Sequence, residues 1–353
     1  MLEFSLKLFK IKGTLWQMYF EQILGFPFRG HDESSSSSNL GNFLELLQWL
    51  GQHNVDVSKV LGTNAPANNQ MTSPRIQNEL ANACASEVTL AIVKDIGDRV
   101  FTILFDEARD VSLKEQMSVV LRYVNSEGYV IERFLGIVHR KDQLRKLQHE
   151  RLVAQLNDEE VTSGRGQNQE TTLVVDLIIQ EMNNRFSEAN TDLLKCIACL
   201  DPRNSFSEFN EHQVIHIATL YPENFSASEC LHLSRQVSNF IANVRCDPQF
   251  VVLSDLGSFA MKMVKTKKHL VFPLVYRIIE LALVLSVATA SVERAFSAMK
   301  TIKTDLRNRM GDEWMNDNLV VYIEKDIFST IDNEPILQRF QSMKTRRIQL
   351  PPL

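Results

Sequence analysis

The chain has 353 residues, 44% of them apolar, enough for one large core or two domains. Its 13 Gly and 10 Pro exclude collagen-like and Pro/Gly-rich disordered classes and disfavour an all-β fold. A net charge of −5 excludes a global basic field for nucleic acid, and five scattered cysteines, an odd count, suit a reducing compartment better than a secreted disulfide scaffold.

The first 25 residues are apolar but broken by Lys7, Lys10 and Lys12, with no small-residue cleavage pattern, so no signal peptide is expected. Residues 31–42, with the run Ser34 to Ser38, read as a flexible linker, making 1–42 an N-terminal helix and Ser-rich linker. A middle block over 43–160 follows. Ser73-Pro74 is an N-cap with Pro at the first helical position, and Ile76, Leu80, Ala83, Cys84, Ala91 and Ile92 share one helix face until Gly97 ends it.

The pattern then changes. β-rich runs cover 100–106, 117–125 and 129–138, the last two joined by Asn125-Ser126-Glu127-Gly128, a hairpin signal. Three such strands make an antiparallel meander that needs a helical layer for stability. Beyond Arg140 the pattern is helical except for a polar break at 163–172, and the C-terminal block spans 173–350. Period-3.6 stripes occur at Leu177, Ile178, Met182 and Phe186 and at Leu193, Leu194 and Ile197. The greasiest stretch, 270–288, carries Pro273, Arg277 and Glu280 and reads as a buried helix, not a membrane span; no membrane partner is expected. The fold class is α+β, mostly helical.

Four features bear on chemistry. The spacing Cys196-x2-Cys199 followed by His212-x3-His216 fits a zinc finger nominally, but the cysteines end an apolar-periodic helix rather than a β-knuckle, so no metal site is expected. In Phe101-Thr-Ile-Leu-Phe-Asp106-Glu107-Ala-Arg-Asp110, an apolar strand delivers a carboxylate at its end. Rigid oxygen ligands of this kind serve metal-dependent phosphoryl transfer, though a strand also often ends in Asp merely as a turn residue. Val292, Phe296, Met299, Ile302, Leu306 and Met310 form an apolar stripe that is either core or a partner helix. Finally, residues 262–309 hold ten Lys and Arg against three acids. That excess of seven is either a solvated face or a surface for nucleic acid, with Lys300, Lys303, Arg307 and Arg309 the candidate contacts.

The stretches 104–112 and 288–310 resemble the hAT transposase superfamily, most closely its domesticated zinc finger MYM-type 1-like or TTF-type relatives. Phe28-Arg-Gly-His-Asp-Glu-Ser34, Gly41-Asn-Phe-Leu-Glu-Leu46, Asn69-Gln-Met-Thr-Ser-Pro74 and Arg133-Phe-Leu-Gly-Ile-Val-His139 carry the same likeness. It implies a remnant RNase H-like core, here the three-stranded antiparallel meander (DUF4371-like), interrupted by a large helical insertion. A C-terminal dimerisation region at about 265–330 folds back onto that core. Asp106 then matches the first catalytic carboxylate and Glu293 the last. Val292, Phe296, Met299, Ile302, Leu306, Leu319 and Ile323 match the dimerisation region, with a homodimer or a related transposase-like chain as partner.

The departures bear equally on function. Ile137-Val-His139 runs directly into a charged helical segment, where the family continues to a fourth strand and a second catalytic Asp. Residues 1–20 have no Cys or His for the family's zinc-binding DNA module. The expectation is an inactive enzyme without cofactor (Mg²⁺ in intact relatives), dimeric, binding DNA weakly if at all, and nuclear by resemblance. DNA binding or residual metal-dependent nuclease activity is the alternative. The first strand should also be left as an open sheet edge, an association hazard unless a helix covers it.

Overall fold

A computed structural model describes residues 36–59, 61, 64, 72–109, 115–139, 188–285, 290–303 and 310–343. The expected N-terminal helix, the polar break at 163–172 and the stripe Leu177, Ile178, Met182, Phe186 lie outside these residues. Helices α1 (Asn42–His53) and α2 (Val55–Ser58) precede α3 (Pro74–Ile96). As its sequence predicts, α3 starts where the Ser73 side chain accepts the Ile76 N–H at 3.4 Å, and it stops at Gly97, whose φ is 54°. Its buried set is broader than one stripe. Ala81, Ala83 and Ala85 let neighbouring elements approach so closely that most of the circumference is covered.

The β-rich runs become β1 (Phe101–Arg109), β2 (Glu115–Val124) and β3 (Val130–His139), an antiparallel sheet in the order β1-β2-β3. In the hairpin, Asn125 Oδ1 accepts the Glu127 and Tyr129 N–H groups at 3.0 and 2.9 Å. Gly128, with φ 87°, approaches the helix that carries Met261 so closely that a Cβ would lie 2.9 Å from the Met261 backbone. Register and pleat divide the side chains between two faces. Thr102, Leu104 and Asp106 share one face with Arg122, Val120 and Ser118, and Phe101, Ile103 and Phe105 share the other with Tyr123, Leu121 and Val119.

The remaining helices build two cores. The run α4 (Glu188–Ala198), α5 (Arg203–Phe206), α6 (Glu211–Leu220), α7 (Ala227–Arg245), α8 (Pro248–Val251), α9 (Leu256–Lys265), α10 (Lys268–Val271) and α11 (Pro273–Val284) surrounds one of them. Its centre is aromatic: Phe259 meets Phe206, Phe250 and Phe240 edge to face at 5.1, 5.3 and 6.0 Å. The chain then returns to the sheet through α12 (Ala290–Ile302), α13 (Asp312–Ile323), α14 (Lys325–Phe328) and α15 (Asn333–Ser342). These share a core with α1, α3 and the sheet. Cores therefore do not follow chain order: the helical run α4–α11 is an insertion between β3 and α12.

Two expectations need correction. The 270–288 stretch is not one buried helix, because Phe272-Pro273 restarts the chain as α11 and leaves Leu270 and Val271 exposed. Cys196 of α4 and Cys199 and Leu200 in the turn after it are buried, while Leu194 points outward.

Where α3 meets α13, Asn82 Nδ2 donates to both Asp317 oxygens at 3.2 and 3.1 Å. Burial pushes the Asp317 carboxyl from its usual 3.8 up to about 6, and Glu313 adds to the rise. The folded state thus binds this proton more tightly than the unfolded chain does. Stability gains as pH falls from about 6 towards 4, and above pH 6 the buried charge costs about 3 kcal/mol. Asp317→Asn keeps an acceptor for Asn82 and is expected to stabilise the protein by about 1–3 kcal/mol at neutral pH. Thermal unfolding across this pH range should show the gain shrinking as the wild type protonates.

Candidate functional site on the sheet and its helical cover

Asp106 lies on β1 opposite Ser118, half-buried on the sheet face that α12 covers. The Ser118 hydroxyl is buried and finds no hydrogen-bond partner among the described residues. On α12, Ala295, Phe296, Ala298, Met299 and Ile302 are buried with the sheet, whereas Glu293 in the first turn is exposed to solvent. Among the described residues no three His, Cys, Asp or Glu side chains converge where an ion could sit. Of the two carboxylates that match the family's first and last, Asp106 is half-buried on β1 and Glu293 exposed on α12. The side chains of Glu107 and Asp110 lie outside the described residues.

The two halves of the zinc-finger spacing have different surroundings. Cys196 and Cys199 are buried in the helical core, where burial pushes both thiols up, and Cys199 Sγ donates to the Cys196 carbonyl at 2.7 Å. His212 and His216 lie on the opposite, solvent side of α6.

The residues matched to dimerisation have a different place from the one expected. Phe296, Met299, Ile302 and Leu319 are buried within the protomer itself, in a core shared with Leu104, Val120 and Phe134, and Ile323 is half-buried against it. The physical reason is the small sheet. Its apolar face must be covered, and α12 is the element that covers it. As described, these positions are core and not a free contact surface. The Val292 side chain and Leu306 lie outside the described residues. Among the basic candidates, Lys300 is exposed, Lys303 is only 1% exposed and so unavailable to a phosphate, and Arg307 and Arg309 lie outside the described residues.

A feature of the site escaped sequence reasoning: how the C-terminal helices hold β3. A bulge falls between Val119 and Val120, opposite Phe134-Leu135-Gly136. Beside it, Glu324 Oε1 accepts the Phe134 N–H at 2.6 Å and Asn316 Oδ1 accepts the Ile137 N–H at 2.8 Å. A Cβ on Gly136 would lie 2.7 Å from that Asn316 oxygen, which explains a glycine within a strand. Arg133 Nη1 bridges Glu324 at 2.9 Å and Asp326 at 2.7 Å. Burial opposes the Arg133 charge, but the two carboxylates more than offset it and raise its pKa. The only sequence signal was Gly136 inside a β-rich run. At the other end of the sheet, Arg122 donates to the Leu283 carbonyl at 2.9 Å and pairs with Glu132 at 2.6 Å.

A three-stranded antiparallel sheet clad by helices on both faces, with C-terminal helices returning to it across a long insertion, defines an RNase-like core joined to an association region. Comparison with known families finds the same two parts. Residues 11–171 match the RNase-like domain of the ZMYM1/FAM200 kind, DUF4371, and residues 260–327 match the hAT family C-terminal dimerisation region. The chain belongs to the hAT-transposase-derived proteins. No described helix is long and apolar enough to cross a membrane.

Proposed function

We propose that this chain is a catalytically silent transposase derivative whose activity is association with a second copy of itself or with a related transposase-like chain. The match of residues 260–327 to the hAT dimerisation region carries the reading. Silence is supported by the solvent-facing Glu293 and by the absence of the family's second Asp after His139. Two measurements test it. Light scattering on the full chain should report a dimer at micromolar concentration, and a monomer there would sink the reading. Supercoiled plasmid incubated with Mg²⁺ or Mn²⁺ should be nicked no faster by the wild type than by Asp106→Asn. Nicking that disappears in Asp106→Asn would establish a surviving active site.

A further inference from the structure

The zinc-finger spacing fails as a whole, but its second half leaves a smaller feature intact. Helix α6 begins at the Asn210 N-cap, whose side chain accepts the His212 and Gln213 N–H groups at 3.0 and 3.3 Å. It turns Val214, Ile217 and Ala218 into the core. His212, His216 and Thr219 follow one another along the other side, and all are exposed. Residues four apart on a helix are stacked neighbours, with Cβ atoms about 5–6 Å apart. Two imidazoles at that spacing can aim one nitrogen each at a single ion, as in the helical His-x-x-x-His ligand pairs of zinc sites.

The position of one proton makes the pair more than a coincidence of spacing. Thr219 Oγ1 lies 2.7 Å from the His216 carbonyl oxygen and 3.2 Å from His216 Nδ1. A carbonyl has no hydrogen, so the hydroxyl hydrogen goes to it. The Thr219 oxygen is then left to accept, and the proton of a neutral His216 ring sits on Nδ1. That leaves Nε2 as a bare lone pair. A partner on the other ring nitrogen is what orients metal-ligating histidines and fixes their tautomer. The His212 ring, exposed one turn away, needs only to choose a rotamer.

We infer that His212 and His216 chelate a divalent transition ion of the zinc or copper kind, with Thr219 as the positioning residue for His216. Imidazole nitrogen suits such ions, whereas Mg²⁺ and Ca²⁺ take oxygen. No third His, Cys, Asp or Glu joins the pair among the described residues. Gln213 stands where the His-Glu-x-x-His metalloprotease pattern has its general base, so the pair lacks that pattern's catalytic carboxylate. Two protein nitrogens leave two positions of a tetrahedral ion open. The site is therefore a docking point, where the ion takes its other ligands from water or from another molecule.

The test is calorimetric titration of Zn²⁺ and of Cu²⁺ into the full chain without an affinity tag. All three side chains are exposed, so their variants should fold, as circular dichroism will register. The wild type is expected to bind Cu²⁺ more tightly than Zn²⁺, following the general order of divalent affinities. His212→Ala and His216→Ala should each abolish this binding. His232→Ala, which removes an exposed histidine from α7, should leave it intact. Thr219→Val should weaken it by about 10-fold or more, and Thr219→Ser, which keeps the hydroxyl, should hold it at the wild-type level. Identical titrations for the wild type and the His212→Ala/His216→Ala double variant overturn the inference. Binding lost only in His232→Ala overturns it too, since the ligands then lie elsewhere. Unchanged affinity in Thr219→Val would overturn the positioning role of Thr219.

Discussion

Phe296→Asp is expected to unfold the sheet-bearing core, not to release a folded monomer. Phe296 sits on α12 against the sheet, in a core with Leu104, Val120 and Phe134. Truncating a buried Phe costs about 3–5 kcal/mol. A carboxylate in its place adds desolvation with no cationic partner supplied, and burial of that kind raises a carboxyl's pKa until it protonates. Since a whole domain is stable by only about 5–15 kcal/mol, the substitution should remove most of the folded population. Denaturant unfolding followed by circular dichroism checks this. A stable, fully folded monomer would instead make Phe296 a dimer contact. The contrast with Leu270 and Val271 is useful: apolar residues of similar appearance in the sequence, buried in one place and exposed in the other, should give opposite outcomes on charge insertion.

The second large effect concerns Glu324. Its carboxylate is 3% exposed, accepts the Phe134 amide and holds Arg133. Burial raises its pKa above the usual range, against the opposing pull of the Phe134 N–H and Arg133. Glu324→Ala leaves a buried amide without its acceptor and Arg133 with Asp326 alone, and removing one member of a buried pair costs about 3–5 kcal/mol. Glu324→Gln keeps the acceptor and loses only the charge, so it should cost roughly half as much, set by one charged hydrogen bond. Urea midpoints for the pair of variants, with β3 amide exchange as the local readout, test the order. Equal losses would mean that Arg133, and not the bulge amide, sets the value of the contact.

The strands were legible because their β-branched and aromatic runs are bounded by a hairpin signal and by Gly97; β1 extends to Arg109 where the pattern predicted an end at Asp106. The start of α3 was legible from Ser73-Pro74, which act within one turn. The breadth of its buried face was not, since alanine reads as neutral until the elements packed on it are known. The α12 stripe was visible as apolar, yet periodicity cannot say whether a sheet of the same chain or another copy covers it. Asn316 and Glu324 were invisible for a related reason. Their partners lie 179 and 190 residues away, and nothing in the local pattern of α13 points to β3. Lys303 shows the same limit with opposite sign: a lysine in a basic segment reads as solvated, and only packing reveals it as buried.

The insertion has a consequence for synthesis. Residues 101–139 form the sheet, but the helices that close its core, from Ala290 to Ser342, leave the ribosome after the whole insertion. Contacts such as Arg339 to Glu87 and Asn82 to Asp317 span 252 and 235 residues. At about 5–20 residues per second, the nascent sheet waits many seconds with its apolar face bare. A ribosome that stalls within the insertion therefore presents a sticky, half-clad sheet to its surroundings. Demand for chaperone protection should peak before the last helices emerge and end when they dock.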